Sequence, residues 1–228
     1  MELQVVARIR TDFPTKFGVP RQSGITDTLL SEVIFEPEYR NADALRGIEG
    51  YSHLWLLWGF SEVEKENWSP TVRPPRLGGN TRMGVFATRS PFRPNKIGLS
   101  SVRLIRTEDS PEGICLIVSG ADMVDGTPIY DIKPYIPYTD CHPDALGGFS
   151  DGVRDHRLDV SIPPEIIRDF PEEKRAGLTE VLSQDPRPAY IDDPERVYGL
   201  LFGGFEIKFT VSDGVASVIS VRQSGEKQ

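Results

Sequence analysis

The sequence predicts a mainly β protein: an all-β core over residues 1–145 and a small α+β unit over 155–228. Three observations point there. Apolar segments of strand length recur through the first part, separated by turn residues. Gly and Pro total 40 of 228 residues but are scattered, which marks many turns rather than one flexible tract. The best helix pattern comes late, within residues 163–190, and an alternating hairpin follows it. Strands so spaced indicate a barrel or sandwich, not βαβ units.

The elements follow in order. Leu3–Ile9 reads as a strand, then FPTKFGVPRQSG as a loop, then Ser31–Glu36 as a second strand. Asn41–Arg46 has the marks of a short helix stopped by Gly47. SHLWLLWGF is a continuous apolar run, as expected of a strand buried on both faces. Arg82–Thr88, Ser100–Arg106 and Ile114–Ser119 are further strands, and TPIYDIKPYIPY alternates between prolines as an extended edge segment. CHPDALGGFSDGVRDHRLD reads as a linker. In the helix that follows, Pro171 suits the first turn, Glu172 and Glu173 complement its positive end, and Leu178, Val181 and Leu182 share one face. Phe205, Ile207, Phe209 and Val211 then alternate with polar residues, and Asp213-Gly214 turns the chain back through Ala216–Val221.

Composition excludes several classes. Hydrophobic residues make up 38% and charged residues 26%, ordinary for a globular chain. The longest apolar run, Leu54–Phe60, is too short to span a bilayer, and the first residues lack the pattern of a signal peptide. Cys115 and Cys141 match no disulfide framework, which fits a reducing cytoplasm. The net charge of −8 hides a segregation. From Asn67 to Thr107 there is no Asp or Glu, while seven arginines and Lys96 give +8, leaving −16 for the rest. Such a block suits an anionic partner, unless its arginines are drawn into ion pairs elsewhere in the fold.

Familiar motifs are missing or misplaced. Neither a dinucleotide-binding glycine pattern after a strand nor a P-loop occurs. Gly148-Phe149-Ser150-Asp151-Gly152 has the letters of a nucleophile elbow but not the strand–turn–helix context, so a hydrolase ranks last. His53, His142 and His156 lack ligand spacing, and no metal is expected. Three clusters stand out instead: Gly18–Gln22; Arg73–Asn80 running on to Ala87–Asn95; and Asp122–Pro128 followed by Tyr130–Tyr135. Each sets charged or amide side chains between Pro and Gly, which makes stiff loops able to hold polar groups around a ligand.

These clusters resemble the TsaA-like family, whose characterised bacterial members are TrmO-type tRNA methyltransferases. The resemblance runs from about Val5 to Tyr138 and rests on LRGIEGYSHLWLL, VRPPRLGGNTRMGVFATRSPFRPN, IGLSSVRL and DGTPIYDIKPYIPY. Asp185–Tyr190 resembles the extra domain of the longer bacterial members. The resemblance implies a single-sheet β-barrel that binds S-adenosylmethionine, a homodimer, and methyl transfer to N6 of threonylcarbamoyl-adenosine at position 37, in the anticodon loop of a tRNA. The C-terminal unit would assist tRNA recognition. Cofactor contacts would come from Pro20, Arg21, Gln22, Phe60, Ser61, Arg89, Leu99, Asp125, Gly126, Thr127 and Pro128. Two positions depart from the family pattern: Ser61 stands where His is usual, and Lys96 where Pro follows the RPN motif.

Chemistry narrows the roles. An adenine N6 amine is a poor nucleophile, so a carboxylate, amide or carbonyl acceptor is expected to hold an N–H and help the lone pair localise, with the proton removed after transfer. Asn95, Asp125 and Asp131 are the candidates; Tyr135 would orient the base, and Lys133 would pair with a carboxylate. Arg73, Arg76, Arg82, Arg93 and Lys96 would meet RNA phosphates. A non-catalytic small-ligand module is the alternative that the arginine-rich loops also allow.

Overall fold

A computed structural model of the chain describes residues 2–62, 67–77, 80–153, 156–187 and 193–225, with the side chains of Arg76 and Val153 outside that description. In chain order the elements are β1 (Ala7–Arg10), β2 (Leu30–Phe35), β3 (His53–Gly59), β4 (Thr71–Val72), β5 (Met83–Gly84), β6 (Ile97–Ser110), β7 (Gly113–Ser119), β8 (Pro128–Pro134), α1 (Pro137–Asp140), β9 (Asp159–Ser161), α2 (Glu172–Ser183), β10 (Tyr198–Phe202), β11 (Phe205–Ser212) and β12 (Val215–Gln223).

Six strands pair in the order β1-β2-β7-β6-β3-β8, and β8 pairs back with β1, so the ring closes with every neighbour antiparallel. Alternation decides what fills it. Ile9, Val33, Leu54, Leu56, Val102, Leu116, Val118 and Ile129 form one buried cluster, while intervening residues face outward. Two register shifts, at Leu57/Trp58 and Leu104/Arg106, interrupt the ladders of β3 and β6.

β3 is not buried on both faces as its apolar run predicts. Leu54, Leu56 and Trp58 are buried, but Trp55 and Leu57 are half-covered. The outer face is sheltered locally: the Trp55 indole N–H donates to Asp140 of α1 (2.8 Å) and its ring packs on Tyr135 (5.5 Å). Arg82–Thr88 also departs from expectation. Only Met83–Gly84 pairs, with Thr71–Val72, and Val85–Ala87 is a 3₁₀ turn. The segment 41–46 is likewise a single 3₁₀ turn, Ala42–Leu45, whose Asn41 side chain caps the Asp43 N–H.

The C-terminal sheet runs β10-β11-β12-β9, with β9 parallel to β12. Helix α2 starts after Pro171 and buries Leu178, Val181 and Leu182 against Leu200, Phe202, Ile207 and Phe209. Phe13 and Leu29, from the segments flanking the first long loop, belong to that same cluster. The linker carries a 3₁₀ stretch, Gly148–Val153, in which Ser150 Oγ donates to the Gly147 carbonyl (2.7 Å), a turn and not a nucleophile elbow.

Candidate functional site

The site is built by loops that leave the ring. A cleft of about 770 Å³ is walled by segments around residues 16–22, 58–62, 88–93, 97–99 and 122–127. That volume lies in the usual range of small-molecule sites, roughly 300–1,000 Å³. Of the eleven expected cofactor residues, eight line it: Pro20, Arg21, Gln22, Phe60, Ser61, Arg89, Leu99 and Thr127. Asp125, Gly126 and Pro128 lie beside the wall and not in it.

The first loop is fixed from behind. Arg21 Nη2 donates to the carbonyls of Asp185 and Arg187, each at 2.9 Å, while the residue also faces the cleft. Gly18 has φ of +93°, and a Cβ there would meet the Leu200 side chain at 2.1 Å, so this turn requires glycine twice over. Across the cleft Arg89 Nη1 donates to Gln22 Oε1 (2.6 Å), tying the first loop to the arginine-rich one. Arg93 Nη1 donates inward to the carbonyl of Thr88 (2.7 Å) and, at longer range, to that of Val85 (3.3 Å).

The floor holds a polar relay that the sequence reading does not single out. Trp58 Nε1–H donates to Ser100 Oγ (2.9 Å), and Ser100 Oγ–H donates to Asp122 Oδ1 (2.5 Å). The Trp58 ring covers Gly98 so closely that a Cβ would meet it at 2.3 Å. Burial pushes the Asp122 carboxyl up to about 6 from 3.8, against the lowering effects of Ser100, backbone N–H groups including that of Ser23, and the Arg89 charge. Residue type does not separate it from Asp125: the fold half-buries Asp122 between buried Ala121 and Met123 and leaves Asp125 exposed.

None of the catalytic candidates lines the cleft. Asn95 is exposed between cleft residues Arg93 and Ile97, and its carbonyl accepts the Ile97 N–H (2.9 Å). Asp125 Oδ1 accepts the Thr11 N–H (2.9 Å). On β8, Asp131 pairs with Lys133 (2.8 Å), and Tyr135 follows against Trp55. Of the RNA candidates, Arg73 and Arg82 are exposed and Lys96 is half-buried; the Arg76 side chain lies outside the described residues, as do Pro188–Tyr190 of the C-terminal motif. Arg106, in the same basic block, is drawn into an ion pair with Glu108 (2.5 Å). Among the described residues no group of three His, Cys, Asp or Glu is placed to hold a metal ion.

A β ring without a dinucleotide fold, an arginine-edged cleft at its side and a small α+β unit bracing the cleft loops together define a particular class of protein. The model of the tRNA-methyltransferase O N-terminal domain matches residues 8–141, and that of the TrmO C-terminal domain matches 155–224. The chain belongs to the TrmO family. It is 40% identical to a tRNA (adenine(37)-N6)-methyltransferase of Escherichia coli over 96% of this chain and 97% of that one. It is 46% identical to a protein of the same name from Eikenella corrodens over 75% of this chain and 97% of that one. A crystal structure of TrmO from Pseudomonas aeruginosa superposes with a TM-score of 0.80 at 31% identity, covering 98% of this chain and 97% of that one.

Proposed function

We propose that the protein is an S-adenosylmethionine-dependent methyltransferase acting on N6 of adenosine 37 in tRNA, with the threonylcarbamoyl-modified adenosine in the anticodon loop as its target. We read the closed six-strand ring as a single-sheet β-barrel, residues 1–145 as the cofactor domain, 155–228 as a unit that assists tRNA recognition, and the working form as a cytoplasmic homodimer. The observation that carries this reading is the cleft, where eight residues expected to touch the cofactor come together from five separate segments. A regulatory module that binds without catalysis is not favoured, because the full-length relatives at 40–46% identity are named as enzymes.

The residues present fit the cofactor's chemistry. Trp58 and Phe60, in edge contact at 4.4 Å, give an apolar aromatic wall for a base. Lys16, Arg21 and Arg89 supply cations for a carboxylate, and Glu62 and Asp122 supply anions for an ammonium and a sulfonium. When bound, S-adenosylmethionine supplies an electrophilic methyl group. The protein's part is to hold the acceptor amine in line and to receive its proton. Asn95, two residues from both Arg93 and Ile97 of the cleft wall, is the hydrogen-bond acceptor for the N6–H that we place first, ahead of Asp125 and Asp131; after transfer the proton passes to a carboxylate or to water. Exposed Lys133 exchanges Asp131 for the carboxylate of the modified adenosine, and Tyr135 orients the base.

The test is transfer of labelled methyl into total tRNA from a strain lacking this protein, with nucleosides resolved by mass spectrometry. The expected product is threonylcarbamoyl-adenosine heavier by one methyl. Methyl found on unmodified adenosine would remove the modified target, and cofactor binding without incorporation would restore the regulatory module.

A further inference from the structure

Two large rings lie outside both the core and the cofactor cleft. Phe86 is 72% exposed and Trp68 is 49% exposed. They stack on one another at 6.4 Å between centroids with 22° between planes. The backbone holds them side by side: Val85 N–H donates to the Pro70 carbonyl (3.0 Å), and Ser69 N–H to the Phe92 carbonyl (3.1 Å). The Arg93 guanidinium, fixed by the Thr88 carbonyl, sits 5.8 Å from the centre of the Phe86 ring. Phe92 and Arg93 also wall the cleft, so the rings stand at its border.

The surroundings choose the occupant. Both rings lie in the 41-residue stretch that has no carboxylate side chain and a charge of +8. Exposed Arg73 and Arg82 belong to the same stretch, Arg82 being braced on Thr71 (3.1 Å). Rigid, solvent-facing π surfaces among cations are what a single-stranded nucleic acid uses, since each base offers a flat face and each link a phosphate. An apolar protein partner would favour a patch depleted of charge at its centre. A second copy meeting this patch across a two-fold axis would oppose like charges.

We propose that Trp68 and Phe86 form a stacking platform for an unpaired nucleobase of the RNA, adjacent to the nucleotide delivered to the cleft. The proposal rests on the reading of the protein as a tRNA methyltransferase.

The test uses the full chain and an unmodified anticodon stem-loop RNA, so that it does not depend on turnover. Phe86→Ala and Trp68→Ala should each weaken RNA binding about ten-fold, within the range of base–aromatic stacking. Trp68→Phe, which keeps a ring, should stay near wild type. The salt dependence of binding should be unchanged in all three, because no phosphate contact is removed. RNA should quench tryptophan emission in the wild type, and Trp68→Phe should abolish that component. Cofactor affinity measured by calorimetry should not move, which controls for folding. Unchanged RNA affinity in both alanine variants, or emission insensitive to RNA, overturns the platform. Loss of a dimer in sedimentation with RNA affinity retained overturns it in favour of an interface between copies. Wild-type methyl transfer separates the two readings. Turnover with no rise in the tRNA KM of the alanine variants sinks the platform alone, and quenching by RNA without any turnover sinks the methyltransferase reading alone.

Discussion

Asp122 links the floor of the cleft to its arginine-rich wall. It accepts from Ser100, which in turn accepts from Trp58, and it feels the Arg89 charge that also holds Gln22. Its carboxyl titrates near 6 when folded and near 3.8 when unfolded. A raised folded pKa means the native state binds the proton more tightly than the unfolded chain does. The cost of the ionised form to stability is therefore absent below about pH 4, grows between 4 and 6, and is complete above 6. Asp122→Asn should then raise the melting temperature at pH 8 and lose that advantage at pH 4, as calorimetry would read. A sulfonium bound near this carboxylate favours the ionised form, so wild-type cofactor affinity should tighten about ten-fold from pH 5 to pH 7, and the variant should bind weakly and without that slope. A variant with wild-type affinity would make Asp122 a structural brace only. The sequence makes the cluster legible but not the choice within it: Asp122 and Asp125 differ in burial, which depends on how the chain leaves β7 and not on residue type.

Elements show where periodicity fails. Arg82–Thr88 has a strand's pattern, yet its facing partner runs through Pro70, Pro74 and Pro75, which have no N–H to give, and the ladder stops after two pairs. Backbone bonds such as Val85 N–H to the Pro70 carbonyl (3.0 Å) hold the segment in place, and one side chain clamps its turn. Arg93 reaches back across the Val85–Ser90 turn and donates to its carbonyls, the shortest bond being 2.7 Å to Thr88. So a residue that reads as a phosphate contact by sequence acts here as a clamp, and nothing in the linear pattern separates the two roles. Lysine has the charge but not the planar fork. Arg93→Lys should loosen residues 85–93, seen as faster amide exchange, and weaken cofactor binding several-fold while the melting temperature moves little. Unchanged exchange in that segment would show that the turn is held by its backbone alone. β3 teaches the complementary lesson: its apolar run is real, but one face is covered by α1 and Tyr135, segments with no apolar periodicity of their own.

At the scale of the whole molecule, the two units share more than a linker. Phe13 and Leu29 leave the ring's sequence neighbourhood and enter the core of the C-terminal unit. Polar contacts reinforce the seam: Lys174 Nζ donates to Asp12 (2.5 Å), Thr28 Oγ1 to Glu180 (2.8 Å), and Gly203 N–H to the Asp12 carbonyl (2.9 Å). Arg21 completes it from the cleft side. The division of charge between the basic block and the acidic remainder is readable by counting, as is the order of ring and appended unit. This seam is not, because Phe13 and Leu29 stand among loop residues, and only the fold shows that their apolar surface belongs to residues of the C-terminal unit, from Leu158 to Val218. The seam ties the C-terminal unit to the cleft wall through Arg21, so on the proposed function that unit would support cofactor binding as well as RNA recognition. A chain ending at Gly152 uncovers Phe13 and Leu29 and releases Arg21, and burial of two large apolar side chains contributes about 3–6 kcal/mol by area. The truncated protein should bind a hydrophobic dye, melt well below the full chain, and lose at least ten-fold in cofactor affinity, while the full chain should unfold in one transition. Two separate transitions in the full chain, with the shortened form binding cofactor at wild-type strength, would mean that the loop at Gly18–Gln22 holds its shape without the seam and that the appended unit serves the RNA alone.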